Sequence, residues 1–289
     1  MRRSAAARGS AAIVTRRASV ELDRRLLWHS LRVVGDPAVV DRLASWLPDA
    51  EHPMPASRAM HYEARRTGSG YAVTEAGDEL AVVVDAEAAA ETIHVRAHRR
   101  AFELASLAGW VRVHAATVDL DGTRVLLVGP SGAGKTTFAT RLLLDGAQVQ
   151  GDESVLVRPG TSLAVPRSLH LKPGYDDWLP ELAPIAATLP AVGDVTMLDP
   201  ARLGRPLRLQ TAPVEHVVIL GPPDTEGVVC EPADGGVILE ALLVDAFPLA
   251  ETKSRMIATL AGAIADARGH RLTVGPPDAM VETLRAAVR

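Results

Sequence analysis

Gly129-Pro130-Ser131-Gly132-Ala133-Gly134-Lys135-Thr136 satisfies the pattern G-x-x-x-x-G-K-[ST] in full. A glycine-rich stretch of this kind turns successive backbone N–H groups toward one anion, and the helix behind it adds the partial positive charge of its N-terminus. Lys135 then meets the β- and γ-phosphates as a point charge, and the Thr136 hydroxyl takes one position on Mg²⁺. The pattern has meaning only between an apolar strand and a helix. Val125-Leu126-Leu127-Val128 supplies the strand, and Thr136-Thr137-Phe138-Ala139 begins the helix. Residues Gly129 to Thr137 are therefore expected to hold a nucleoside triphosphate with Mg²⁺.

A magnesium site of this type needs an acid. Asp152 follows the strand expected after the phosphate-loop helix, with Glu153 beside it. A right-handed strand–helix–strand crossover returns the chain beside the phosphate-loop strand and ends both strands on one edge. Thr136, Asp152 and Glu153 are the expected metal residues; a solvated acidic loop is the plainer alternative. Asp121-Gly122 between apolar runs is a hairpin signal. A two-residue turn there pairs positions whose numbers sum to 243, which sets His114 opposite Gly129. A histidine so placed can hydrogen-bond phosphate or orient Asp152. Arg167, His170 and Lys172 lie on one extended segment, His170 and Lys172 on the same face. They suit contact with transferred phosphate or acceptor, or an ordinary polar edge strand.

These residues need elements to hold them. A strand is expected over 26–34, and a helix over 37–46 opening on Asp36-Pro37. Strands near 60–66, 70–75 and 79–85 precede a helix over 86–108, whose Ile93, Ala97, Ala101 and Leu104 recur every three or four positions. The strand 111–119, the strand 124–128, the helix 135–144 and the strand 147–151 frame the phosphate loop. Further strands are expected at 154–158, 162–165, 206–209, 215–220 and 226–230, with helices at 237–246, 252–267 and 277–288. The expected class is α/β. A basic, small-residue-rich tail covers 1–25, a small α+β domain without recognisable chemistry covers 26–109, and the catalytic domain covers 110–289.

Composition narrows the function. The 289 residues carry a net charge of −4, with 47% hydrophobic and 3% aromatic residues. Near-balanced charge and few stacking platforms argue against a nucleic-acid partner. No apolar run reaches the roughly 18–20 residues of a membrane span. Cys230 is the single cysteine, so no intrachain disulfide is possible, and a reducing cytoplasmic setting fits. Of the 31 basic residues only Lys135, Lys172 and Lys253 are lysines.

Val113-His114-Ala115-Ala116, then Gly129 to Thr136, then Gly151-Asp152-Glu153 resembles the core of HPr kinase/phosphorylase-like proteins, in the wider class of the ATP-dependent phosphoenolpyruvate carboxykinases. The resemblance is specific over roughly 110–175 and diffuse beyond. It implies a P-loop kinase core, Mg²⁺-dependent phosphoryl transfer and a homo-oligomer. The family's strand histidine falls on His114, its loop lysine on Lys135 and its metal-binding hydroxyl on Thr136. Its paired acids fall on Asp152 and Glu153, the first as general base toward a serine-type hydroxyl. The second acid is Glu where the family has Asp. The arginine- and glycine-rich loop by which HPr kinases engage their carrier protein is absent, which argues against HPr as the acceptor.

The expected function is thus ATP- and Mg²⁺-dependent transfer to a hydroxyl of a peptide, protein or small molecule. Two alternatives fit the same residues: an ATP-binding interaction module without transfer, and an ATPase or carboxykinase-like enzyme.

Overall fold

The computed structural model describes residues 19–223, 227–247 and 252–289, so the expected tail up to Ala18 lies outside the described residues. The tail's expected end at 25 is too late. Val20–Leu26 is a strand, joined through Leu27-Trp28 to the antiparallel strand His29–Gly35. Two of the arginines that made this stretch look like a tail are anchors instead. Arg24 Nε donates to Leu47 O at 2.8 Å, and Arg25 donates to Met54 O. What reads in sequence as one strand over 26–34 is the turn and second arm of that hairpin.

The hairpin belongs to a five-stranded sheet completed by Arg58–Arg66, Tyr71–Glu75 and Asp78–Val83. His29–Gly35 and Arg58–Arg66 run parallel, linked by the helix Pro37–Trp46. That helix starts where Asp36 accepts from Ala38 N at 3.0 Å and Pro37 fills the first position. The long helix Ala86–Leu107, capped by Asp85, buries Ala89, Ile93, Ala97, Ala101 and Ala105 completely. The same apolar core takes in Leu156, Leu163, Val165 and Met197, so it runs on past residue 110.

The second large sheet has six strands in the order Gln148–Gly151, Ala116–Leu120, Thr123–Val128, His216–Pro223, Arg268–Val274 and Cys230–Ala233. Thr123–Val128, His216–Pro223 and Arg268–Val274 are parallel. The hairpin about Asp121-Gly122 has the expected register, Leu120 pairing Thr123 and Ala116 pairing Leu127. It stops there, so His114 is not opposite Gly129. The strand expected over 111–119 is two strands in different sheets, because Val111–Val113 pairs with Val155–Arg158 instead. His114 lies in the crossing between them, its N–H donating to Asp245 O at 2.9 Å.

The crossover also differs in detail. Gln148–Gly151 runs in the direction of Thr123–Val128 but is not its neighbour, since Ala116–Leu120 lies between and pairs antiparallel with both. Both flanks of the phosphate-loop strand are taken, one by its hairpin partner and one by His216–Pro223. The helix expected over 252–267 ends at Ala263, and Arg268–Val274 forms a strand absent from the sequence reading. Its apolar signal is thin: His270 and Leu272 are its buried positions. Among the described residues no helix is long and apolar enough to cross a membrane.

Arg124, fully buried, ties this sheet to its surroundings. It pairs with Asp119 and donates to Ser162 Oγ at 3.0 Å and Gln210 O at 3.1 Å. Truncation strands the Asp119 carboxylate in a site built around a cation. Arg124→Ala is therefore expected to cost about 3–5 kcal/mol, read as a lowered denaturant midpoint. A midpoint within error of wild type would contradict that account of the joint.

Candidate active site

Four strands of the six-stranded sheet, Thr123–Val128, Gln148–Gly151, His216–Pro223 and Arg268–Val274, point the same way. Their C-terminal ends open on one cleft of about 1140 Å³. The glycine-rich loop leaves the first of these strands. Gly129 packs so tightly that a Cβ would sit 3.1 Å from Leu220 O, and at φ +148° it has a backbone that side chains disfavour. Gly134, at φ +87°, forms the N-cap of the helix Lys135–Leu144 and offers no side-chain cap. The first N–H groups of that helix are therefore left to an incoming acceptor of hydrogen bonds.

Lys135 is buried, and its ammonium is held by the loop's own carbonyls, Gly129 O and Pro130 O, the latter at 3.2 Å. Burial lowers its pKa, and Lys172 nearby lowers it further, while Asp245 and Asp152 oppose. The next residue makes the central contact: Thr136 Oγ1 donates to Asp152 Oδ2 at 2.8 Å. Asp152 enters from the end of Gln148–Gly151, where Gly151 lets the backbone approach Val165 O; a Cβ there would be 3.0 Å away. Asp152 is 4% exposed, and its Oδ1 is buried without a hydrogen-bond partner among the described residues. Burial raises the Asp152 pKa; Arg167 and the Thr136 hydrogen bond pull the other way. The His170 N–H, at 3.4 Å from Oδ2, adds a weaker contact.

The remaining expected residues are distributed as follows. Pro130 to Thr137, His114, Glu153, Arg167, His170 and Lys172 all line the cleft, whereas Gly129 is not part of its lining. His114 is half-buried, and burial together with Lys135 lowers its pKa. Glu153 is paired with Arg167. Arg167 Nε also donates to His170 Nε2 at 3.0 Å. His170 is pushed down to about 3 by burial and by Arg167, so it is neutral at pH 7. Positive charge in this segment therefore comes from Arg167 and Lys172 alone.

Several lining residues are not among those expected from the sequence. Tyr175 and Trp178, on a short helical turn, line the cleft, as do Arg271, Val274 and Met280. Trp178 is 52% exposed, a large apolar side chain left facing solvent at a cleft. A Tyr and a Trp at helical spacing just after Lys172-Pro173-Gly174 was the available clue. Arg271 was hidden with its strand.

Residues for a nucleotide and Mg²⁺ are present by their chemistry. Among the described residues no group of three or more His, Cys, Asp or Glu could hold a metal unaided. Mg²⁺ does not require one, since it binds through one or two protein oxygens and substrate phosphates. The Thr136 hydroxyl is such an oxygen, and the carboxylate to which it donates keeps Oδ1 without a hydrogen-bond partner among the described residues.

Three depressed histidines around this region give a pH prediction. Burial, with neighbouring charge, pushes His94 to about 2, His98 to about 4 and His170 to about 3. Below the ordinary histidine value near 6.5 the unfolded chain binds protons that the folded chain refuses. Stability is thus expected to be level above about pH 6.5 and to fall steadily toward pH 4. A urea midpoint that does not change between pH 7 and pH 5 would contradict these assignments.

The chain matches no protein-family model and no curated protein. It is similar to a solved structure, the HPr(Ser) kinase/phosphatase from Coxiella burnetii, at 13% identity and a TM-score of 0.34. That likeness covers 61% of this chain and 95% of the other. A match this loose assigns neither activity nor substrate.

Proposed function

We propose that this protein is an ATP- and Mg²⁺-dependent phosphotransferase that moves the γ-phosphoryl group to a hydroxyl of a peptide, protein or small molecule. The observation that carries this is the hydrogen bond from Thr136 to Asp152 at the mouth of the phosphate loop, with Asp152 Oδ1 buried and unpartnered. A P-loop without a base holds a nucleotide; this one has a basic carboxylate within reach of the same cleft.

The loop N–H groups and Lys135 bind and orient the phosphates, and burial of Lys135 strengthens its field. Thr136 would hold Mg²⁺ together with the substrate phosphates, and the ion would supply neutralisation of their charge. The acceptor oxygen attacks the γ-phosphorus in line, the new O–P bond forms, and the bond to the β-phosphate oxygen breaks with its electron pair leaving on ADP. Asp152 takes the acceptor's proton late in that step. Its burial raises its basicity for this task. Arg167 and Lys172 line the same cleft and supply positive charge for the moving phosphoryl group, and Glu153 pairs with Arg167.

Incubation with γ-labelled ATP, Mg²⁺ and a panel of hydroxyl compounds tests the proposal. Label in a phosphomonoester supports it; release of free phosphate alone marks an ATPase, and tight ATP binding without turnover marks a binding module.

A further inference from the structure

A second cavity, of about 660 Å³, adjoins the cleft, with Glu153 and Arg167 lining both. One wall is the long helix of the first block, through His94, His98, Arg99 and Phe102. The other is formed by Arg112 and Ser154. Both carboxylates in this cavity are taken. Glu103 is paired with Arg99 at 3.2 Å and Arg100 at 3.6 Å, and Glu153 with Arg167.

Arg112 is different. Its Nε donates to Ser154 Oγ at 2.9 Å, and its guanidinium carbon lies 4.6 Å from the Phe102 ring centre and 4.6 Å from that of Phe247. Among the described residues no carboxylate pairs with it. Two aromatic faces and partial burial strip water from the cation and hold its plane, but they do not neutralise it. A second guanidinium, that of Arg167, is close enough to repel it. His94 lines the same cavity, and its Nδ1 is buried without a hydrogen-bond partner among the described residues. An arginine held between two rings, its two terminal nitrogens without a hydrogen bond among the described residues, suits bidentate recognition of a carboxylate or phosphate.

We infer that the cavity around Arg112 binds an anionic group, carboxylate or phosphate, carried by the phosphoryl acceptor. This rests on the proposed kinase reading and names the class of its acceptor: a hydroxyl compound that bears an anion. The chain itself sets the span. Ser154, which holds Arg112, follows Asp152 by two residues, so their backbones are at most about 7 Å apart. One small molecule or a short peptide reaches from Asp152 to Arg112 by running along Glu153. The helix Ala86–Leu107, which carries no recognisable chemistry in the sequence, becomes the outer wall of the acceptor site.

Isothermal titration calorimetry on the full chain, saturated with Mg²⁺ and a non-hydrolysable ATP analogue, tests this with inorganic phosphate and succinate as probes. The nucleotide occupies the phosphate loop, so probe binding reports on another site, and the two probes separate phosphate from carboxylate preference. Arg112→Gln is expected to weaken binding of the preferred probe at least about tenfold and to leave analogue affinity unchanged. Arg112→Lys keeps the charge, tests folding between the two rings, and is expected to fall in between. No binding of either probe to the loaded wild type, or equal binding to Arg112→Gln, overturns the proposal. So does an efficient acceptor that lacks an anionic group and whose kcat/KM is the same in Arg112→Gln. Failure of phosphoryl transfer with Arg112-dependent probe binding intact counts against the kinase reading and the acceptor assignment. Transfer without Arg112-dependent binding counts against the pocket alone.

Discussion

Asp152→Asn is expected to lower phosphoryl transfer by about 100-fold or more while changing nucleotide affinity little. The substitution is nearly isosteric. An amide oxygen still accepts the Thr136 hydroxyl that now lies 2.8 Å from Oδ2, so the phosphate loop keeps its contact with the neighbouring strand. What disappears is a group able to take a proton. The effect should therefore fall on kcat and on kcat/KM together, the pattern of an interaction made in the transition state. Folding should suffer little, because the variant removes a charge that burial already disfavours. Single-turnover transfer alongside analogue titration checks both halves. Transfer at the wild-type rate would remove Asp152 from the base role, and a collapse of nucleotide affinity would make it a structural strut.

Lys135→Ala has the opposite signature. Removing one partner of a buried charged contact costs about 2–5 kcal/mol, which corresponds to roughly 30-fold or more in nucleotide affinity. Arginine is not expected to rescue it. The ammonium is 6% exposed and sits against two backbone carbonyls of its own loop, where a planar guanidinium has no room. In a chain that uses arginine at nearly every basic position, the lysine here answers a need for a compact point charge. Calorimetry showing the same affinity in Lys135→Ala would contradict the cradle.

Much of this site is legible from residue types, because local patterns specify local structure. The loop, the helix Lys135–Leu144 and the hairpin register about Asp121-Gly122 all depend on neighbours in sequence. The misreadings have one cause, long-range pairing. Val111–Val113 and Ala116–Leu120 look like one strand until Val155–Arg158 claims the first, which moves His114 from a ladder position to a crossing. Arg268–Val274 shows almost no apolar alternation because it is positioned by the strands beside it, so Arg271 stayed hidden. Arg24 and Arg25 read as a solvated tail until the carbonyls of Leu47 and Met54 are brought to them. The cavity at Arg112 was almost hidden in the sequence, since its walls come from residues near 100, 112, 154 and 167. His94 and His98, four apart on one helix face with Phe102 next in line, were its only trace.

The most direct measurement is the fate of the γ-phosphoryl group per ADP formed, compared between wild type and Asp152→Asn with one acceptor present. One labelled phosphomonoester is expected for each ADP in the wild type, with near loss of both products in the variant. ADP matched by free phosphate alone, or equal transfer by the two proteins, would contradict that expectation.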